Sequence, residues 1–411
     1  MLFLYHLFIS CYFLIIRLLS FRNKKAKEWI LGRQNWQIHL KEAIGGHTNW
    51  VWVHCASAGE FEQGKPVIER LKNELPGVKV LVSFFSPSGF GVGKRYKHAD
   101  YVTYLPLDTQ QNAADFINIV QPRLAVFVKY DYWYHHLKTT ANKGIPLLLI
   151  SAKFREGQPF FKWYGGLHRR MLGFFSQIFV QDAHSAQLLK KIGVTQCTIS
   201  GDTRFDRVAT LTQEIPHIEA IEAFVADHQV LVAGSTWPDD ERLLQNATSS
   251  IKDLRIIIAP HEIHPAHIEG IRSLFPESVC FSQLNTTNAA DNQVLIIDNV
   301  GMLSRLYHYA TLTYIGGGFN KSGIHNTLEA AVWGKPVFFG PNYKKFGEAR
   351  GLIACGAAWS ESDPVRLKEH ITRLLTHNST LHHTGEKANH YVMTNVGATE
   401  IIMQYIRQNV F

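Results

Sequence analysis

Paired cysteines, metal-ligand spacings and hydrolase signatures are all missing from this chain, and each absence narrows its chemistry. The five cysteines (Cys11, Cys55, Cys197, Cys280 and Cys355) are scattered without paired spacing. Neither a disulfide framework nor a cysteine zinc site is expected, and a reducing cytosol is the simplest setting. There is no Gly-x-Ser-x-Gly elbow and no Walker pattern, and Cys55 has no base partner in the sequence, which argues against serine or cysteine hydrolases and P-loop enzymes. No Asp-x-Asp stands near a strand end. His261 and His264 lie in a Pro-flanked loop without His-x-x-x-His spacing or a third ligand, so no metal is expected. Low-complexity runs are absent too, and 46% hydrophobic with 18% charged residues describes a chain that folds throughout. A formal net charge of +8 suits an anionic membrane or substrate. The basic residues form no dense block and no recognition motif, so nucleic acid is not an expected partner.

What the sequence does have begins at its start. Residues 1–21, MLFLYHLFISCYFLIIRLLSF, are apolar except for His6, Ser10, Arg17 and Ser20, and Arg22, Lys24, Lys25 and Lys27 follow at once. The stretch reads as a membrane anchor, either spanning or lying in the interface, because its uninterrupted apolar part is short for the ~20 residues of a spanning helix. The basic flank places the main body on the cytoplasmic side.

Beyond the anchor, short apolar runs alternate with helical patterns. Strands are expected at residues 50–54, 78–84, 101–105, 124–128, 147–151 and 177–181, and a second series at 230–234, 255–260, 279–282, 294–298, 312–316 and 336–340. Such alternation predicts α/β architecture: two Rossmann-like domains, each a parallel sheet covered by helices. The expected division is an anchor at 1–21, a first domain at 22–205, a second at 206–380, and a C-terminal helix at 381–411 crossing back to the first domain. Open parallel sheets bind ligands beyond the carboxyl ends of their strands, so a cleft between the domains is the expected site.

Several motifs fall at strand ends. Tyr314-Ile-Gly-Gly-Gly leads through a loop to a helix expected from Asn326 to Gly334. Close backbone approach at the glycines and a helix N-terminus suit a phosphate-bearing nucleotide donor, with Glu329 placed to accept from a ribose diol. Asn326 and Glu329 also have the spacing of a capping pair. The first strand runs into Cys55-Ala-Ser-Ala-Gly-Glu60, with a helix expected from about Pro66. Glu60, on that loop, is a candidate base for an acceptor hydroxyl or else a helix-start charge. Ser57 and Gly59 offer donors to an acceptor phosphate, or simply make a turn. Asp131 in Lys129-Tyr130-Asp131 is a candidate orienting acid, with an ion pair to Lys129 or Arg155 as the alternative. Arg204 in Gly201-Asp-Thr-Arg offers a cation to a phosphate or pairs with Asp202 or Asp206.

These blocks together resemble the 3-deoxy-D-manno-octulosonic acid (Kdo) transferases of lipopolysaccharide synthesis, membrane-associated GT-B glycosyltransferases. The resemblance runs over nearly the full length and is carried by the anchor with its basic flank, Ser57-Ala-Gly-Glu60, Gly201 to Asp206, and His325-Asn-Thr-Leu-Glu329. It implies a CMP-Kdo donor, a lipid A precursor (lipid IVA) as acceptor, and residence at the cytoplasmic face of the inner membrane. No cofactor is implied, since CMP carries a single phosphate. By the same resemblance Glu60 is the catalytic base, Asp131 and Arg204 support the transition state, and the donor is held by Pro260, His261, Val300, Gly301, Met302, Asn326, Thr327, Leu328 and Glu329. The chain departs from many relatives in having Lys129-Tyr130-Asp131 where they have Glu-Thr-Glu, and Gly323-Ile-His-Asn-Thr327 where they have Gly-Gly-His-Asn-Pro. Two alternatives stay open: a GT-B enzyme acting on a UDP-sugar, as transferase or epimerase, and a non-catalytic membrane-tethered nucleotide-binding protein.

Overall fold

The computed structural model describes residues 1–285 and 289–411. The chain forms two compact units, one of Met1–Arg207 with Val396–Phe411, the other of Val208–Asn395.

The first unit is built on seven parallel strands: β1 (Trp50–Cys55), β2 (Lys79–Phe84), β3 (Tyr101–Tyr104), β4 (Leu124–Val128), β5 (Leu147–Ala152), β6 (Gln177–Val180) and β7 (Cys197–Ile199), in the order β3-β2-β1-β4-β5-β6-β7. Helices cover both faces, so a central strand such as β1 is buried at every position and reads as a continuous apolar run. Trp50 and Trp52 point into one core and Val51, Val53 and Cys55 into the other, as the two-residue period requires. The chain moves outward from β1 to β3 and then returns to place β4 on the other side of β1. The switch point of this sheet therefore lies beyond the carboxyl ends of β1 and β4.

The second unit repeats the plan with β8 (Gln229–Thr236), β9 (Leu254–Pro260), β10 (Ser278–Cys280), β11 (Val294–Ile296), β12 (Leu312–Ile315), β13 (Val337–Phe339) and β14 (Ala358–Ser360), ordered β10-β11-β9-β8-β12-β13-β14 and parallel. Its switch point lies beyond β8 and β12. Two parallel sheets in α/β units are the architecture expected from the alternation.

Several details differ from expectation. β7 and β14 are three-residue edge strands without an apolar run. The helix after β1 spans Ala58–Glu74, starting eight residues before Pro66. The helix expected from Asn326 is a single turn, Leu328–Ala331. The C-terminal segment is two helices, Asn378–Met393 and Ala398–Asn409, separated at Gly397 with φ of 125°. The first unit takes only Val396 onward, because Asp206 accepts the N–H groups of Gly397 (2.9 Å) and Thr399 (3.2 Å) and so fixes where the returning helix begins.

The N-terminal helix, Leu2–Leu19, is long and apolar enough to cross a membrane. Ile9 is buried, Leu2, Tyr5, Tyr12 and Ile16 are half-buried, and most of the other face is exposed. The spacing 2-5-9-12-16 is one helical stripe. Tyr5 hydrogen bonds to Asp108, His6 Nε2 lies 2.8 Å from His135 Nε2, and Tyr12 packs on Trp29 and Phe85.

Candidate functional site

In the first unit, the groups at the ends of β1 and β4 form one connected set. Ser57 is the N-cap of Ala58–Glu74, and Glu60 Oε2 accepts from the Ser57 N–H (2.9 Å) and Oγ (3.2 Å). Glu60 thus sits in the first helical turn and not on a loop. Burial, reinforced by the negative charge of Asp131, raises its carboxyl to about 7 against the tug of the Ser57 bonds and Lys129. Gly59 has no positive φ, and a Cβ there would meet only Ser57 Oγ at 4.0 Å; packing does not demand glycine at this position. Cys55 is fully buried, and burial with the Glu60 charge pushes its thiol up, the reverse of an activated nucleophile.

Asp131 pairs with neither Lys129 nor Arg155. Its Oδ2 accepts from His54 Nε2 (2.9 Å) and Trp133 Nε1 (3.1 Å). His54 Nδ1 in turn lies 2.8 Å from Ser83 Oγ, which also accepts from Trp52 Nε1. A wholly buried histidine thereby orients the carboxylate. His54 escaped the sequence reading, although a polar residue closing the run Trp-Val-Trp-Val-His is the signal that marks it. Lys129, just past β4, has φ of 68° and Ser151 in β5 has φ of 52°, costly conformations for non-glycine residues that gather at the strand ends carrying the site.

Arg204 pairs with Asp202, two residues away. Its Nε and Nη2 reach Asp202 Oδ2 (3.0 and 2.8 Å) and its N–H reaches Asp202 Oδ1 (3.0 Å). Burial would raise Asp202, but Arg204 holds it below the usual carboxylate range. The segment is tied to the Glu60 helix, because Thr203 Oγ1 donates to the Gln63 carbonyl at 2.6 Å. With its amide oxygen turned toward them, Gln63 accepts from Arg204 Nε (3.1 Å) and Lys129 Nζ (3.2 Å). Glu60, Asp131, Lys129 and Arg204 therefore surround one helical turn.

One outcome follows from this set. Asp131→Asn should move the acidic limb of the pH–kcat/KM profile to lower pH, because it removes a negative charge that holds the Glu60 proton. A steady-state profile from pH 5 to 9 checks it; an unmoved limb would mean Asp131 does not tune Glu60.

In the second unit the glycine-rich segment is held by a carboxylate the sequence reading missed. Asp240 is fully buried and accepts from Gly317 N (2.8 Å), Tyr314 Oη (2.9 Å) and Trp237 N (3.0 Å). Burial raises it to about 6. The signal was Trp237-Pro-Asp-Asp240, a proline at the helix start with an acid two residues later, at the third helical position. The glycines answer to backbone: a Cβ on Gly316 would lie 2.2 Å from Ser235 O and one on Gly318 would lie 2.4 Å from Gly340 Cα. They bring β8, β12 and β13 into contact, and the Gly317 N–H goes to Asp240, not to an open anion cradle.

Beside them, Trp237 stacks on His261 (ring centroids 5.0 Å) and His261 on His325 (4.4 Å). Trp237 Nε1–H donates to His325 Nε2 at 3.4 Å, which leaves the proton of the neutral ring on Nδ1. Burial, then the neighbouring His261, lowers His325 to about 4. His264 is drawn away from His261 to cap the next helix, accepting from the His267 N–H at 3.1 Å.

Asn326 and Glu329 form the capping-type pair, with Asn326 Nδ2 donating to Glu329 Oε1 (2.9 Å) and the Leu328 N–H to Asn326 Oδ1 (3.1 Å). The Leu328 side chain is wholly buried, so neither it nor its N–H is open to a ligand. Thr327 Oγ1 is a buried hydroxyl without a partner among the described residues. Pro260 and His261 close β9, and Val300, Gly301 and Met302 follow β11, with Val300 84% exposed and Gly301 at φ of 99°.

Residues 31–207 match the family model of the 3-deoxy-D-manno-octulosonic-acid transferases (kdotransferases). The chain is similar to the 3-deoxy-D-manno-octulosonic acid transferase of Rickettsia felis, at 27% identity over 80% of this chain and 72% of that protein. It is similar also to that of Haemophilus influenzae, at 23% identity over 88% of each. The first unit carries a Kdo transferase domain. Kdo transferases are glycosyltransferases, and the residues matched here include Ser57 to Glu60, Asp131 and Arg204. Among solved structures, UDP-GlcNAc 2-epimerase from Neisseria meningitidis bound to UDP-GlcNAc superposes with a TM-score of 0.62, at 17% identity over 88% of this chain and all of that one. That likeness concerns the GT-B fold alone.

Proposed function

We propose that this chain is a Kdo transferase that moves Kdo from CMP-Kdo to a lipid A precursor, lipid IVA, at the cytoplasmic face of the inner membrane. The observation that carries the reading is Glu60: a carboxyl capped by Ser57, raised to about 7 by burial and Asp131. A base with that affinity is half ionised near neutral pH and takes a proton as the acceptor hydroxyl attacks. Attack on the anomeric carbon of Kdo inverts it, the hydroxyl proton passes to Glu60, and CMP leaves with the bond electrons. Asp131, fixed by His54, keeps negative charge beside the developing positive charge on the sugar. The first turn of Ala58–Glu74, bare at Gly59, offers backbone donors to an acceptor phosphate.

On the donor side, His325 Nδ1–H, His261, the unpartnered Thr327 hydroxyl and the exposed turn Val300–Met302 meet the CMP-Kdo. Asn326, Leu328 and Glu329 set the shape of that turn more than they touch the ligand. The N-terminal helix lies along the first unit through its 2-5-9-12-16 stripe, leaving its other apolar face to lipid, with Arg22, Lys24, Lys25 and Lys27 at the headgroups.

The test is transfer in vitro by detergent-solubilised protein with CMP-Kdo made in situ and a tetra-acylated lipid A precursor, read by mass spectrometry of the lipid. A gain of one or more Kdo units is the expected result and counts the additions. Intact CMP-Kdo and unchanged lipid, with folded protein, would overturn the donor or acceptor assignment.

A further inference from the structure

The first unit contains a cavity of about 710 Å³ that the reaction described so far does not use. One wall is the N-terminal helix, with Leu4 and Phe8; the other is the segment after β4 and the helix Gly166–Leu172, with Tyr132, Trp133, Leu167 and Met171. The lining is mostly apolar, and its volume falls in the roughly 300–1,000 Å³ range of small-molecule sites. Asp131 stands at its edge, and Asp131 is near enough to Glu60 for its charge to be felt there. The cavity thus runs from the wall of a helix with an exposed apolar face to Asp131, the carboxylate beside Glu60. At the same place the loop before Gly166 exposes two aromatic rings, Tyr164, which lines the cavity, and Trp163, 92% exposed and edge-on to Tyr164. An indole left in water on a chain with an apolar surface helix is the side chain that settles at a membrane interface.

Leu4 and Phe8 are exposed residues of a helix whose docked stripe is 2-5-9-12-16, so they are not needed to hold it to the body. His168 in the same lining keeps a buried Nδ1 with no partner among the described residues, and burial lowers its pKa. The ring is therefore neutral and suits an uncharged neighbour. An ionic ligand would find one carboxylate, Asp131, and no lysine or arginine side chain in the lining. A hydrocarbon chain entering from the lipid side would find apolar walls along its length.

We infer that this cavity takes one fatty-acyl chain of the acceptor lipid and so registers the sugar hydroxyl against Glu60. The inference rests on the acceptor assignment proposed above, and two measurements separate them. In the first, Leu4→Trp and Leu167→Trp, which fill the cavity from opposite walls, are assayed with the acylated acceptor and with its fully deacylated, water-soluble counterpart. The ratio of kcat/KM for acylated over deacylated acceptor should fall by about 10-fold or more in each variant, as expected when a binding pocket for remote parts of a substrate is closed. An unchanged ratio in both would overturn the inference even where transfer itself proceeds. The second needs no turnover: a photoactivatable C14 fatty acid in detergent should label peptides containing Tyr132–Trp133 or Leu167–Met171 in the wild type and label them less in Leu167→Trp. Labelling confined to other peptides would overturn the inference, whatever the acceptor assay shows about the reaction.

Discussion

Glu60→Gln should lower kcat by a factor of roughly 10²–10⁴, the usual contribution of a positioned general base, and should leave the fold intact. The second half of the outcome makes the first interpretable. Glutamine at the third helical position still accepts from the Ser57 N–H, so the cap survives the exchange. The ionised carboxylate is, moreover, a burden on the fold. Its folded pKa of about 7 stands above the unfolded value of 4.5, so the folded state binds the proton more tightly, and stability falls as pH rises between those two values. A shift of that size corresponds to at most about 3 kcal/mol above pH 7, less whatever solvent reaching the half-buried group takes back. Glu60→Gln is therefore expected to unfold at a higher temperature than the wild type at pH 8 and at nearly the same temperature at pH 4. Kdo transfer at the wild-type rate by this variant would remove Glu60 from the role of base; lower activity with a lower Tm at pH 8 would reduce it to a structural cap.

Asp240→Ala should be the most damaging change to stability in the second unit, on the order of 3–5 kcal/mol, because two buried donors and a half-buried one lose their acceptor together. Those donors are Gly317 N, Tyr314 Oη and Trp237 N, so one side chain joins the end of β12 to the helix after β8. Asp240→Asn should cost far less, since the amide oxygen can still accept two of the three. Urea denaturation of the two variants tests the pair, and near-equal midpoints would mean that Asp240 does not organise the glycine segment. CMP-Kdo affinity should fall with Asp240→Ala even under conditions where the protein is folded, because Trp237, and through it the His261–His325 stack, loses its fixed position.

Much of the architecture was legible because parallel strands covered on both faces must be apolar without interruption, and runs such as Leu124–Val128 and Leu147–Ala152 have no other use. β7, with Cys-Thr-Ile, and β14, with Ala-Trp-Ser, were not legible, since three residues at a sheet edge need no such run. Helix starts were misjudged for a related reason. Pro66 looked like a first-turn proline, yet Ser57 and Glu60 have the spacing of a capping box, and that local pair fixes the start eight residues earlier. Reading Gly316 to Gly318 as a ligand cradle overlooked that glycines are also how neighbouring strand ends approach, and the atoms a Cβ would strike are backbone. His54 and Asp240 share a different difficulty. Each matters through partners that are 77 residues away in sequence, and no spacing within a single stretch encodes such a meeting.

The helix Ala398–Asn409 has a consequence for how the molecule is made. It supplies Ile402, Met403 and Ile406 to the core around β1, β2 and β4, and Arg407 pairs with Glu74 (2.6 Å) and Glu400 (2.5 Å) on the unit's surface. The first unit to leave the ribosome is thus the last to be completed, while the second, continuous from Val208 to Asn395, has its whole core as soon as it emerges. Synthesis of this chain inverts the usual N-terminal-first order of domain folding, and a nascent chain stalled before residue 396 holds an apolar face of the first unit open to whatever chaperone or membrane lies nearest.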